Sequence, residues 1–204
     1  MAQSKKEKIG LFGGTFDPVH IGHTGAAKLA MEKLGLDRLI FIPAYNPPHK
    51  YLPQDSASAE KRLEMLKIAT KDMENTEVSD IEISRGGISY TIDTIKELQK
   101  LYPDAELWLL MGNDMLCSFE NWVGFEWLVK NLSICALSRH SDRSDMELCA
   151  KELVENYGAK VVFADNSAID ISSSRIRELL RQRKGREYLD DEVYAFIVKN
   201  RLYG

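Results

Sequence analysis

The chain has 204 residues, of which 44% are hydrophobic and 28% are charged, with a formal net charge of −4. This length allows one sizeable core and is short for two full domains, so we predict a single domain over residues 1–204. The acidic balance argues against a protein that wraps nucleic acid through a basic face. No apolar stretch approaches a membrane span, and the polar segment 1–8 does not resemble a signal peptide.

The three cysteines, Cys117, Cys135 and Cys149, show no C-x-x-C spacing. An odd number of isolated thiols predicts a reducing compartment, free cysteines and no structural zinc. Together with the missing leader and membrane span, this predicts a cytoplasmic location.

The stretch Ile9–His23 reads IGLFGGTFDPVHIGH and dominates the first half of the chain. A short apolar run predicts a buried strand, Gly13 and Gly14 allow a sharp turn, and a helical pattern follows and ends at Gly35. Free N–H groups at such a helix start bind anions such as phosphate. His20 and His23, three residues apart, can face the same phosphate. The alternative is a pair of surface or capping histidines.

This motif differs from both common phosphate loops. It is not G-x-G-x-x-G, and it lacks the lysine of G-x-x-x-x-G-K-[ST]. GGTFDPVHIGH instead resembles the H-x-G-H signature of the nucleotidyltransferase superfamily, in the form that the small adenylyltransferases use.

A second buried strand is predicted at 38–44, followed by the proline-rich segment PAYNPPHK. Its prolines exclude a helix and force an extended loop. The loop ends in His49 and Lys50, and Lys50 is a candidate for closing on a polyphosphate. The alternative is a surface loop with a solvated lysine.

The middle of the chain predicts a helix over 58–73, a third strand marked by Val78, Ile81 and Ile83, and a helix over 89–102. Ser89 and Thr91 are plausible N-cap residues of this last helix. A strongly apolar strand over 107–111 precedes Gly112 and Asp114. A carboxylate beyond a central strand is well placed to hold ribose hydroxyls, and a helix cap is the alternative for Asp114.

The last third predicts strands at 134–137 and 160–164 and helices ending near Tyr157 and starting near Asp170 and Asp190. The segment Asp170–Arg177 reads DISSSRIR. Serines and basic residues at a helix start form a second candidate anion site, because cations in a first turn oppose the helix dipole and so point to function.

About six strands alternate with helices along the whole chain. This order predicts one α/β domain, a Rossmann-like, doubly wound fold with a mainly parallel sheet. In such folds ligands lie beyond the carboxyl ends of the strands at the switch point, and all the candidate residues follow strands or begin helices.

Over nearly its full length the chain resembles the nicotinate-nucleotide adenylyltransferase family. The similarity lies in GGTFDPVHIGH, PPHK, SYTIDT, GNDM and ISSSRIR. Two departures stand out: Ser174 replaces a usual Thr and keeps its hydroxyl, and Arg139-His140-Ser141 stands where many relatives have Arg-Pro-Gly.

The resemblance implies transfer of AMP from ATP to nicotinate mononucleotide, which gives nicotinate adenine dinucleotide and pyrophosphate on the way to NAD. It implies His20, His23 and Arg177 as catalytic residues. The implied ATP-binding residues are Gly13, Gly14, Thr15, Phe16, His20, His23, Lys50, Gly112, Asp114, Ser173, Ser174 and Arg177. The implied nicotinate mononucleotide-binding residues are Ser89, Tyr90, Thr91, Asp114 and Trp122.

Such a transfer proceeds by direct in-line displacement and needs no covalent intermediate. Mg²⁺ is expected to arrive on ATP, because no carboxylate cluster resembles a dedicated metal cage. The expected partners are ATP and nicotinate mononucleotide, with no nucleic acid and no membrane, and a homo-oligomer remains open.

Four alternatives remain. Two are a phosphopantetheine adenylyltransferase and an adenylyltransferase that prefers the nicotinamide nucleotide. The third is a fragment of a class I aminoacyl-tRNA synthetase, which this acidic chain has no room to complete. The fourth, a nucleotide sensor without turnover, would be expected to lack His20, His23 or Arg177.

Overall fold

A computed structural model of the chain describes residues 5–49, 51–138, 143–165 and 171–204. Lys50 and Arg139, which the sequence analysis singled out, lie outside these ranges. Within them a single sheet contains six strands, all parallel, in the order β3-β2-β1-β4-β5-β6. The strands are β1 Lys8–Gly14, β2 Arg38–Pro43, β3 Thr76–Val78, β4 Glu106–Met111, β5 Ser133–Ser138 and β6 Lys160–Asp165. The predicted doubly wound α/β fold is confirmed.

Helices connect and follow the strands. They are α1 Ile21–Leu34, α2 Ala59–Thr70, α3 Ile81–Arg85, α4 Thr91–Leu101, α5 Asn113–Cys117, α6 Phe125–Asn131, α7 Arg143–Tyr157, α8 Ser173–Arg181 and α9 Asp191–Lys199. Local chemistry explains several ends. Ser58, Ser172 and Asp190 cap α2, α8 and α9 by accepting N–H bonds from the first turn, and Gly35 ends α1 in the left-handed conformation.

The sheet buries both faces, and each face has its own core. Side chains alternate along β1, so that Phe12 faces the core beneath α1, α2, α8 and α9, whereas Ile9 and Leu11 face the core beneath α4, α5, α6 and α7. Burial on both sides explains why the strands read as continuous apolar runs.

The predicted third strand is wrong in its second half. The structure ends β3 at Val78 and places Ile81 and Ile83 in the short helix α3. Side-chain bonds favour the helical turn: the Ser79 hydroxyl accepts from the Ile81 N–H, and the Ser84 hydroxyl donates to Asp80 at 2.9 Å. The apolar spacing of Ile81 and Ile83 suits a strand, but local hydrogen bonding decides otherwise.

The expectation of three free thiols is also wrong. Cys117 and Cys149, which are separated by 32 positions in sequence, form a disulfide with their Cα atoms 5.2 Å apart. The packing of α5 against α7 brings the two together, which residue spacing alone does not reveal. Cys135 is the free, buried cysteine, and burial raises the pKa of its thiol to about 12.

None of the helices in the described ranges is long and apolar enough to cross a bilayer.

Candidate active site

A cavity of about 540 Å³ opens at the carboxyl edge of the sheet, between β1 and β4. The strand order reverses at this point, since β2 and β3 lie on one side and β5 and β6 on the other. Residues 11–15 and 109–115 form the base of the cavity. Doubly wound folds bind their ligands at this position.

Most residues predicted from the sequence border this one cavity. They are Gly13, Gly14, Thr15, His20, His23, Ser89, Tyr90, Thr91, Gly112, Asp114, Trp122 and Ser173. Phe16, Ser174 and Arg177 are not among the lining residues, and Lys50 lies outside the described ranges.

The two glycines at the end of β1 have different reasons to lack a side chain. A Cβ on Gly13 would meet nothing within 4 Å, so the missing side chain leaves open space beside the cavity. A Cβ on Gly14 would lie 3.0 Å from the Phe16 ring. That ring is buried and packs edge-on against Phe12 at 5.6 Å and His23 at 5.0 Å. Phe16 therefore supports the site from behind.

His20 and His23 lie together where α1 begins. His20 is the N-cap residue and is buried, and the two ring centroids are 3.8 Å apart. The backbone N–H of His20 donates to Nδ1 of His23 at 3.3 Å. An acceptor Nδ1 places the proton of a neutral His23 ring on Nε2, which makes Nε2 a donor. Both rings border the cavity, as the motif predicts.

The start of α8 faces the same region from the other side. Ser172 and Ser173 line the cavity, and the Ser173 hydroxyl donates to the Pro18 carbonyl at 3.0 Å. Arg177, only 9% exposed, points into the protein. Its Nη1 donates to the backbone carbonyl of Asp17 at 2.6 Å and lies 3.5 Å from the Asp17 carboxylate, and its Nη2 donates to Ser174. In this structure Arg177 holds the segment between β1 and α1, which we call the β1 loop (residues 15–20).

Arg62 is a buried cation that the sequence analysis missed. It is 1% exposed and donates to the carbonyls of Ala57, Thr15, Ala44 and Tyr45 at 3.2, 2.8, 2.6 and 3.1 Å. The sequence carries a signal for it, since Arg62 lies three and four residues before the core residues Met65 and Leu66, on the buried face of α2.

Asp17 is the counter-charge of this region. One carboxylate oxygen accepts from the Ala57 N–H at 3.0 Å and from the Tyr203 hydroxyl at 2.6 Å. Burial and the neighbouring carboxylate raise the pKa of Tyr203, which therefore stays a neutral donor. Burial lowers the pKa of Arg62, and the attraction of Asp17 opposes that effect.

A second buried network supports the start of α4. The Ser89 hydroxyl accepts from the Tyr45 N–H at 2.9 Å and bonds the Glu82 carboxyl. The Thr94 hydroxyl also donates to Glu82, at 2.7 Å, and accepts from Arg85. Glu82 is 7% exposed, and burial raises its pKa against these hydrogen bonds. The structure thus uses Ser89 to join α4 to the loop after β2, here called the β2 loop (residues 44–49), and begins the helix at Thr91 with Tyr90 as N-cap.

An aromatic surface borders the cavity near α4 and the β2 loop. The Trp122 ring is stacked on His49, with centroids 5.4 Å apart and planes 30° apart, and touches Phe119 edge-on. The buried indole N–H finds no hydrogen-bond acceptor among the residues that the structure describes. His49 is a lining residue that the sequence analysis did not include among the substrate contacts.

Two carboxyl side chains, Asp114 and Glu82, border the cavity in the described part of the chain. Asp114 is exposed, whereas Glu82 is committed to Ser89 and Thr94. No group of three or more His, Cys, Asp or Glu residues that could hold a metal occurs in the ranges described above.

Three comparisons bear on this geometry. The cytidylyltransferase-like family model matches residues 11–179. A relative from Carboxydothermus hydrogenoformans, named a probable nicotinate-nucleotide adenylyltransferase, is 40% identical over 198 residues, which cover 96% of this chain and 98% of the relative. A relative of the same name from Clostridium botulinum is 36% identical over 198 residues, which cover 95% of this chain and 97% of the relative.

Among solved structures, the nicotinic acid mononucleotide adenylyltransferase of Plasmodium falciparum complexed with APC has a TM-score of 0.76 and 19% identity, with 97% of each chain covered. That likeness concerns the fold. The extent and identity of the sequence matches establish the family. The chain belongs to the cytidylyltransferase-like proteins and, within them, to the nicotinate-nucleotide adenylyltransferases, nucleotidyltransferase enzymes of NAD biosynthesis.

Proposed function

We propose that this chain joins ATP to nicotinate mononucleotide by direct in-line displacement, with the residues around the cavity dividing the two substrates between them. This division rests on which residues line the cavity. One end holds the glycines and paired histidines that suit phosphates, and the other holds Trp122 and the start of α4 that suit a pyridine nucleotide.

In the reaction, a 5′-phosphate oxygen of the mononucleotide attacks the α-phosphorus of ATP, and the bond to the pyrophosphate oxygen breaks. The enzyme aligns the two phosphates and stabilises the charge that grows on their oxygens. His23 donates from Nε2 to a phosphate oxygen, and His20 stands beside it at 3.8 Å between ring centroids. No side chain acts as a nucleophile.

The nucleotide contacts follow from the lining residues. The backbone of residues 13–15 and the start of α8 at Ser173 approach the ATP phosphates, and Asp114 accepts from ribose hydroxyls. Phe16, Ser174 and Arg177 lie behind the lining residues. Phe16 packs against His23, and Arg177, which also bonds Ser174, holds the β1 loop through the Asp17 carbonyl and contributes its positive charge from there.

Mg²⁺ belongs to ATP in this proposal. Of the two carboxyl groups at the cavity, Asp114 is assigned to the ribose and Glu82 is engaged by Ser89 and Thr94, so the ion keeps its water and phosphate ligands. When bound, Mg²⁺ neutralises charge on the phosphates. We further propose that the enzyme acts on these two small molecules, without nucleic acid, in the cytoplasm. The location rests on the role in NAD biosynthesis and no longer on the cysteines, since Cys117 and Cys149 are bonded to each other.

The test is pyrophosphate release from ATP and Mg²⁺ with a panel of acceptors: nicotinate mononucleotide, nicotinamide mononucleotide and phosphopantetheine. We expect the highest kcat/KM with nicotinate mononucleotide. A preference for phosphopantetheine, or ATP binding without turnover with any acceptor, would contradict the proposal.

A further inference from the structure

Arg62 connects two loops that border the cavity from neighbouring strands. Its Nη1 donates both to the Thr15 carbonyl of the β1 loop and to the Ala44 carbonyl of the β2 loop. Thr15 and Ala44 both line the cavity, although Arg62 itself does not. The guanidinium therefore bonds directly to two residues that line the cavity.

This contact begins where the backbone pairing of the two strands ends. The register of β1 and β2 runs to Gly14 opposite Pro43, and the last bond joins the Ala44 N–H to the Gly14 carbonyl at 2.9 Å. Beyond it the carbonyls of Thr15 and Ala44 converge on one nitrogen of Arg62. Without Arg62 the buried Ala44 carbonyl and the part-buried Thr15 carbonyl would lose this donor, which is costly for the buried group.

The two loops carry different parts of the site. The β1 loop leads into His20, while the β2 loop carries His49, whose ring is stacked on Trp122. A change in the separation of Thr15 and Ala44 therefore changes the position of the phosphate-binding end relative to the aromatic end. In-line transfer depends steeply on that alignment.

We propose that Arg62 is a positioning residue for adenylyl transfer, which fixes the spacing of the β1 and β2 loops and thereby the alignment of the two substrates. The inference rests on the proposed function. Shape matters as well as charge, because only a planar fork donates to the Thr15, Ala44, Tyr45 and Ala57 carbonyls at once.

The experiment compares Arg62→Met and Arg62→Lys with wild type, measuring kcat and both KM values well below the melting temperature of each variant. Arg38→Met is the matched control. Arg38 is partly buried at the opposite edge of the sheet, where it pairs with Glu7 and Glu77. We expect kcat to fall about 10- to 100-fold in both Arg62 variants, with both KM values close to wild type and the control unchanged.

A merely structural role would lower the melting temperature and leave kcat per folded molecule unchanged, which would overturn the inference. Full recovery of kcat by Arg62→Lys would also overturn it, since charge alone would then suffice. If wild type does not turn over, the proposed function fails; if wild type is active and the Arg62 variants match it, only this inference fails.

A measurement on wild type covers the case in which neither variant folds. The Arg62 Nε–H donates to the Ala57 carbonyl at 3.2 Å, so its hydrogen exchange should be far slower than that of the exposed Arg175 side chain. Exchange as fast as that of Arg175 would show that the guanidinium is not held between the two loops and would overturn the inference.

Discussion

At the scale of single residues, His23 uses its two ring nitrogens for different purposes. Nδ1 accepts from the His20 N–H and so helps to begin α1, while Nε2 carries the proton that we assign to the phosphate. A substitution that removes the whole ring therefore mixes a capping effect with a catalytic one.

The first prediction separates these two effects. In His23→Asn the amide oxygen can replace Nδ1, so the fold should be retained while the Nε2 donor is lost. We expect kcat to fall about 100-fold, the usual order for a lost donor to growing negative charge. Steady-state kinetics and thermal unfolding measure the two effects.

His23→Gln is the matched variant, because its amide nitrogen extends to the position of Nε2. It should recover part of the lost kcat. Near-normal turnover of a well-folded His23→Asn would remove His23 from the mechanism.

Arg177 illustrates what a motif cannot reveal. The segment ISSSRIR predicts a helix start with an arginine beside it, and the structure confirms that α8 begins within the serines. The direction of the guanidinium depends on Asp17, 160 residues away in sequence, whose carbonyl it binds. The same holds for Arg62, whose partners are backbone carbonyls of two loops that only the complete fold brings together.

The second prediction concerns ATP binding by Arg177→Ala. Loss of the bond to the Asp17 carbonyl should loosen the β1 loop, and loss of positive charge should weaken phosphate binding. Calorimetric titration should show a higher Kd for ATP than in wild type. Arg181→Ala is the control, since Arg181 is exposed at the end of α8 and pairs with Asp55. Equal Kd values in all three proteins would show that Arg177 has no part in ATP binding.

At the scale of elements, the spacing of apolar residues predicted the strands and helices whose side chains are buried in the core. It failed where hydrogen bonds between neighbouring residues decide the local structure. The positions of the six strands, apart from the second half of the third, follow from residue patterns, as do the glycine end of α1 and the starts of α2 and α9. Helix α3 does not, because Ser79, Asp80 and Ser84 decide a segment of five residues whose apolar spacing also suits a strand.

The start of α4 narrows the choice of groups that recognise the acceptor. Ser89, Tyr90 and Thr91 were the predicted groups, but the N–H groups of Ser89 and Tyr90 donate to the carbonyls of Asn46 and Ile88. The Ser89 hydroxyl is bound to Tyr45 and Glu82. Thr91, at the first helical position, remains the candidate donor for the nicotinate carboxylate.

The third prediction tests this assignment with Thr91→Val and Trp122→Ala. Stacking on Trp122 barely distinguishes the acid from the amide. Trp122→Ala should therefore lower kcat/KM for both mononucleotides and leave the ratio of the two values almost unchanged. Thr91→Val should narrow the ratio of kcat/KM for the acid to that for the amide. The Thr91 hydroxyl suits the carboxylate of the acid but is mismatched with the NH₂ group of the amide, and such a mismatch typically costs about 1–3 kcal/mol. The measurement is kcat/KM for both mononucleotides. A collapse of selectivity in Trp122→Ala alone would contradict the assignment.

The disulfide joins an element of the site to its support. Helix α5 carries Asn113 and Asp114 on the cavity wall and ends at Cys117, which is bonded to Cys149 of α7. The fourth prediction is that reduction lowers the free energy of unfolding. A cross-link that closes a loop of this length contributes about 3–4 kcal/mol in the chain-entropy account.

Urea unfolding with and without a phosphine reductant measures this effect. In Cys117→Ser the reductant should have no further effect, which makes that variant the control. Equal stability of oxidised and reduced wild type would contradict the prediction.

At the scale of the whole molecule, contacts between distant parts of the chain build the site. The Tyr203 hydroxyl, near the end of the chain, bonds Asp17 in the β1 loop. The cavity itself follows from the strand order, which the sequence did not predict. The alternation of strands and helices predicted a doubly wound parallel sheet with its ligands at the carboxyl edge. Sequence reasoning therefore chose residues that mostly border one cavity, but it missed the buried polar groups beside them, because the partners of those groups are set by tertiary packing.

Glu82 connects one of these buried networks to the pH dependence of global stability. Burial raises the pKa of Glu82 above its ordinary value of 4.5, despite hydrogen bonds from Thr94 and Ser89 and the charge of Arg85; the nearby Glu97 adds to the increase. The folded state therefore holds this proton more tightly than the unfolded state. The resulting stabilisation is complete below the unfolded pKa and is lost as the pH rises through the folded pKa.

The fifth prediction follows from that sign. In Glu82→Gln the side chain stays neutral at every pH, so the stability of the variant relative to wild type should increase as the pH rises from about 4 through the folded pKa of Glu82. Urea unfolding of both proteins between about pH 4 and 8 measures the difference. Glu64→Gln, on the exposed side of α2, is the control and should show no such increase. A difference between Glu82→Gln and wild type that stays constant over this range would mean that Glu82 is as easily ionised in the folded protein as in the unfolded chain.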